Sequence, residues 1–315
     1  MADQAEKLRQ LVSSSAAGSV GTGQEAGAAQ EAPPRVKEKP SPARPPEGRA
    51  ATRIIAISSG KGGVGKTNIA INLALAYAKA GKRVIVMDAD LGLANVNVVL
   101  GVIPRYNLYH LIRKQKTLSE ILVDTNYGIQ IIAGASGFSK IANLSEEERR
   151  DFIGELAALS NADILIIDCA AGVSNNVISF IAAADDAIIV TTPEPTAITD
   201  AYGIIKIIAT EIENLDLGLK LVVNRVKSVV EGKRVAERVI NIAGQFLNLK
   251  VDYLGFVFDD PVVHTAVVRQ KPFIVVEPKS KAAICIRHLV GRLENYEYRD
   301  GKGIPSFLKK LFGSR

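Results

Sequence analysis

From Arg53 onward the chain alternates between short unbroken apolar runs and longer stretches in which apolar residues recur every three or four positions. The unbroken runs are IIAIS (54–58), RVIVM (83–87), IQIIA (129–133), DILIID (163–168), AIIVT (187–191), LKLVVN (219–224) and VDYLGFV (251–257). Their length and Val/Ile richness predict strands, and the absence of apolar/polar alternation predicts burial on both faces. Helical periodicities fall near 66–80, 145–160, 174–184, 196–213, 231–247 and 280–295. Strand and helix in alternation predict an α/β fold, a doubly wound and mostly parallel sheet flanked by helices, over residues 53–299.

The flanks read differently. Residues 13–52 run from a Ser/Gly/Ala stretch into a Pro-rich charged one with too few large apolar side chains to form a core, which predicts a disordered linker. At the other end, within 302–315, Ile304, Phe307, Leu308, Leu311 and Phe312 recur at i, i+3, i+4, i+7 and i+8. Pro305 suits a first helical turn, and Lys309 and Lys310 fall on the opposite side. This pattern predicts an amphipathic helix that lies on an anionic membrane surface. Residues 1–12 open with Asp3-x-x-Glu6, a cap-like start, and set Ala5, Leu8, Leu11 and Val12 along one side of a nascent helix. That segment is too short to fold alone and is expected to order on a partner.

Composition narrows the classes. A chain of 315 residues that is 47% hydrophobic and 23% charged can build a sizeable core. Two cysteines, Cys169 and Cys285, exclude a disulfide framework and a cysteine metal cluster, as expected of a cytoplasmic protein. The net charge of +6 sits in the tails: residues 1–30 carry −1, residues 31–53 carry +3 and residues 302–315 carry +4, while 54–301 is formally neutral. The basicity is therefore no argument for DNA. No apolar run approaches the roughly 20 residues of a spanning helix, so any membrane contact is peripheral.

The chemistry is concentrated after the first strand. Gly60-Lys61-Gly62-Gly63-Val64-Gly65-Lys66-Thr67, followed by Asn68, fits the phosphate-binding pattern G-x-x-x-x-G-K-[ST] and leads into a helix. The glycines let backbone N–H groups face phosphate, Lys66 is placed to reach the β and γ phosphates, and Thr67 offers its hydroxyl to Mg²⁺. ATP and Mg²⁺ are the expected ligands. Asp88 and Asp90 end the second strand, and Asp168 follows four apolar residues, where a charge would need a cation or hydrogen bonds.

With its second lysine, KGGVGKT resembles the deviant phosphate-binding motif of the MinD/ParA family of ATPases, and the resemblance extends over most of 53–295. It implies that Lys61 crosses to a partner subunit's phosphates in an ATP-dependent homodimer, acting like an arginine finger. It also implies that Asp90 orients the attacking water, that Asp88 lies near the metal and Lys61, and that Asp168 supports Mg²⁺ through water. Asn224 and Arg225 match an adenine-reading position, while Glu194, Phe258 and Asp260 fall where further base or ribose contacts are expected.

The terminal segments separate branches of the family. The C-terminal helix resembles the membrane-targeting helix of the Min branch. Asp3, Gln4, Ala5, Leu8 and Arg9 match the activator motif of the FlhG branch, which governs flagellar placement and number and stimulates an FlhF-type GTPase. The implied protein is a slow, dimerisation-activated ATP hydrolase that cycles between the cytoplasm and the inner face of the cell membrane. Flagellar switch-complex proteins are further expected partners. The alternatives are a division-site MinD, which leaves residues 1–52 unexplained, and a ParA-type DNA partition ATPase, which the neutral body opposes. An iron–sulfur carrier lacks the necessary cysteine spacing.

Overall fold

The computed structural model describes residues 51–90, 95–134, 151, 154–212, 217–247, 249–295 and 303–312. The segment 1–12 with its five matched residues, nearly all of the linker, Leu91–Ala94 and part of the helix expected at 145–160 lie outside these.

Eight strands form a single sheet: β1 (Arg53–Ser59), β2 (Val84–Ala89), β3 (Leu122–Asp124), β4 (Gln130–Ile132), β5 (Ile164–Ala171), β6 (Asp186–Thr191), β7 (Gly218–Val226) and β8 (Asp252–Phe258), in the order β3-β4-β2-β5-β1-β6-β7-β8. All pairs are parallel except β3 with β4. Buried residues from β1, β2, β5 and β6 contribute to both of two apolar layers, one on each side of the sheet, which accounts for their unbroken apolar character.

One layer is covered by α1 (Lys66–Lys79), α2 (Val96–Leu100), α8 (Pro261–Val268), α9 (Phe273–Val276) and α10 (Lys281–Asn295). The other is covered by α3 (Leu108–Ile112), α4 (Leu118–Ile121), α5 (Asn175–Ala183), α6 (Pro195–Glu211), α7 (Val229–Leu247) and α11 (Gly303–Phe312). At the N-terminal ends of the strands, Arg53 and Lys220 both pair with the buried Asp186, tying β1, β6 and β7 together at the edge opposite the nucleotide-binding loop. Among the described residues no helix is long and apolar enough to cross a membrane.

The structure adds what covers the C-terminal stripe. The C-terminal stripe does form a helix, α11, but Ile304, Phe307, Leu308 and Phe312 are buried in the domain's own core and Leu311 packs against it. The cause is the crossover from β5 to β6, which passes over β1 on the short helix α5. Nine helical residues span about 14 Å, whereas the seven residues of β1 extend about 23 Å, so part of the β1 face remains uncovered. Helix α11 fills it, packing on α5, on β1 and on the 3₁₀ turn Ala157–Asn161. Lys309 and Lys310 stay on the exposed side.

Candidate nucleotide site

The phosphate loop joins β1 to α1. Gly63 and Gly65 take left-handed φ values of 76° and 98°. A Cβ on Gly65 would lie 2.4 Å from Nδ2 of Asn224, and one on Gly60 would lie 2.0 Å from the carbonyl oxygen of Asp200. Only glycine fits at these two positions. Around Gly62 and Gly63 a Cβ would meet nothing within 4 Å, which leaves the crown of the loop open to a phosphate.

Lys66 is buried, and its Nζ donates to Oγ of Ser59 at 3.0 Å. Ser59 in turn donates to the Lys61 carbonyl at 2.6 Å, bracing the loop from below. Burial lowers the pKa of Lys66, against the opposing pull of Asp168 and Asp90. Asp168, at the neighbouring strand end, is 1% exposed, and its Oδ1 has no hydrogen-bond partner. Burial pushes its pKa up to about 7, opposed mainly by a hydrogen bond with Thr67. A buried carboxylate with one orphaned oxygen, hydrogen-bonded as a group to Thr67 and near the buried Lys66, fits a hydrated Mg²⁺ on a nucleotide phosphate.

Asp88 departs from expectation. It stands level with Asp168 across the β2–β5 pair, but its carboxylate accepts from the backbone N–H groups of Asp90, Asn95 and Val96. It closes the turn leading into α2 instead of offering free oxygens to a metal. Burial dominates here too, raising its pKa to about 6. Asp90 is half-buried beside this group and acts on the titration of both Lys66 and Asp168.

The residues expected around the base divide in the same way. Asn224 donates through Nδ2 to the Val64 carbonyl at 2.8 Å, so its amide buttresses the phosphate loop. Arg225, beside it, is exposed at a left-handed φ of 56°. Asp260 caps α8 by accepting from Val262 N–H and also takes the Ala282 N–H of α10. With Asp259, Val262, Ser280 and Lys281 it lines a cleft of about 290 Å³. Phe258 sits edge-on to Phe256 with Lys281 over its ring. Glu194 is joined to Lys61: Lys61 Nζ lies 2.9 Å from Glu194 Oε2 and 2.9 Å from Thr196 Oγ1. Asn68 accepts through its carbonyl from Asn72. Ser59 and Thr196 escaped the sequence reading, because a serine at a strand end and a threonine in a helix's first turn are ordinary there.

Comparison with known proteins agrees with this geometry. A family model described as an AAA domain matches residues 52–221. Antiactivator FleN of Pseudomonas aeruginosa is 36% identical over 248 residues, 78% of this chain and 87% of its own. Flagellum site-determining protein YlxH of Helicobacter pylori is 36% identical over 272 residues, 84% of this chain and 91% of its own. Among solved structures, septum site-determining protein MinD of Pyrococcus horikoshii, complexed with Mg-ADP, superposes with a TM-score of 0.63 at 27% identity over 78% of this chain and 96% of that one. The MinC:MinD complex of Aquifex aeolicus gives 0.64 at 26% identity over 79% and 98%. Sequence, sheet order and phosphate loop agree, and the chain belongs to the MinD/ParA family of P-loop ATPases.

Proposed function

We propose that this ATPase is a nucleotide-switched regulator of flagellar placement and number, which dimerises on ATP and cycles between the cytoplasm and the inner face of the cell membrane. The observation that carries the reading is the phosphate loop itself, complete in Lys66, Thr67 and the buried Asp168, with a second lysine, Lys61, at its rim. In the ATP-bound dimer Lys61 reaches the partner subunit's phosphates, Lys66 holds its own, and Asp90 orients the attacking water. Mg²⁺, held by Thr67 and through water by Asp168, would neutralise charge on the β and γ phosphates.

The buried stripe of α11 refines the membrane step. One apolar face serves both the β1 surface and lipid, so the docked helix is the cytoplasmic form and lipid binding requires its release. Helix α5, against which α11 packs, follows β5, the strand that carries Asp168, which gives the nucleotide a route to the dock. Two released helices on a dimer gain roughly 10²–10⁴ in avidity.

The flagellar assignment draws on FleN and YlxH and on the match of residues 3–9 to an element that stimulates an FlhF-type GTPase. The test is GTP hydrolysis by such a GTPase with a peptide of residues 1–20. Stimulation that disappears with Gln4→Ala is expected. Equal rates with and without the peptide would favour a division-site role, in keeping with the 34% identity to MinD of Bacillus subtilis.

A further inference from the structure

Lys61 makes its contacts within its own chain. Its ammonium meets the Glu194 carboxylate and the Thr196 hydroxyl at 2.9 Å each, from a residue 133 positions away in sequence and one 135 positions away. Both acceptors belong to the start of α6. Glu194 occupies the N-cap position but makes no side-chain cap bond. Ser, Thr, Asp or Asn would normally stand there, since their shorter side chains reach the first-turn N–H groups. Capping therefore does not account for this glutamate, whose carboxylate points to the phosphate loop instead.

The two elements are also fixed to each other. Gly60, next to Lys61, lies so close to the Asp200 carbonyl on α6 that no Cβ fits between them. The loop and the first turns of α6 thus hold a set distance while the lysine side chain remains the movable part. Lys61 is 38% exposed and Glu194 57%, so water reaches both and the pair can open without burying a bare charge. Arg225 also acts on Glu194, holding its pKa down after the larger effect of Lys61, and so a second cation remains nearby when the lysine leaves.

The geometry points to Glu194 and Thr196 as positioning residues that latch the signature lysine in its own subunit, so that dimerisation must break this latch before Lys61 can cross. The inference rests on the proposed crossing of Lys61. It makes Glu194 an opponent of dimerisation, where the sequence suggested a contact to base or ribose. An exposed ion pair contributes little, so the effect is a shift in threshold: opening the latch is worth about two- to fivefold in the dimer constant per protomer.

Sedimentation velocity of the full chain with Mg²⁺ and a non-hydrolysable ATP analogue, over a range of protein concentrations, reads the dimer constant directly. Glu194→Gln is expected to tighten the dimer at least several-fold, Thr196→Val to tighten it less, and Thr196→Ser to restore the wild-type value. In the background of Lys61→Ala, Glu194→Gln should have no effect, because the latch then has nothing to hold. A Glu194→Gln dimer as weak as wild type or weaker, with Lys61→Ala monomeric, overturns the latch while leaving the crossing lysine in place. Dimerisation of Lys61→Ala at wild-type strength overturns the crossing itself.

Discussion

Replacing Asp168 with Asn tests whether the site holds a buried charge that awaits a cation. The carboxylate is 1% exposed with one unpaired oxygen, and burial raises its pKa from 3.8 to about 7. Between about pH 4 and 7 the folded chain keeps a proton on this group that the unfolded chain has lost. The associated stability is therefore fully present below pH 4 and disappears as pH rises through 7. The slope approaches 1.4 kcal/mol per pH unit for one proton. From pH 5 to pH 7 the nucleotide-free wild type should accordingly lose about 2 kcal/mol more than Asp168→Asn. That corresponds to a Tm difference of roughly 4–8 °C for a domain of this size. Asp88, also raised, adds a slope of its own to both proteins, so the difference reports Asp168 together with its charge coupling to Asp88. Thermal melts in EDTA at several pH values measure it, and Mg²⁺ with ATP should flatten the wild-type curve. Parallel pH dependences for wild type and Asp168→Asn would refute the reasoning.

Other outcomes follow from the same contacts. Lys66→Ala removes the buried ammonium facing the phosphates and should abolish ATP binding in a fluorescent-nucleotide titration, with micromolar affinity as the contrary result. Gly65→Ala places a Cβ 2.4 Å from Asn224 at a φ of 98° and should cost about 1–3 kcal/mol in urea unfolding, along with nucleotide affinity. Phe307→Ala empties a fully buried site under α11 and should cost about 3–5 kcal/mol. Phe180→Ala, on the helix that α11 packs against, leaves the apolar stripe of α11 intact and, if that stripe binds lipid on release, should increase nucleotide-free binding to anionic vesicles; loss of stability without that increase would count against release of α11.

The sheet was legible because parallel strands buried on both faces leave continuous Val/Ile runs, and each long run from IIAIS to VDYLGFV became a strand. The antiparallel strand β3 and the helices α2, α3, α4, α8 and α9 were missed. With three to eight residues each, they are too short to establish a repeating period. The phosphate loop was readable because its glycines, lysine and threonine are adjacent in sequence. The uses of Asp88, Asn224 and Glu194 were not, since each depends on which backbone or side chain the fold brings near it: the α2 N–H groups, the Val64 carbonyl, and Lys61. The stripe of α11 was also correctly periodic, but amphipathicity specifies an apolar face and not what covers it. Here the answer came from the shortness of α5.

The central claim is that two chains must come together around ATP for hydrolysis. The most direct test is the specific ATPase rate of the full chain as a function of its own concentration, at saturating Mg²⁺ and ATP. A dimer-dependent site predicts a rate per protomer that rises with protein concentration to a plateau and remains at the floor for Lys61→Ala. A rate per protomer that is constant over a hundredfold range and survives Lys61→Ala would contradict it.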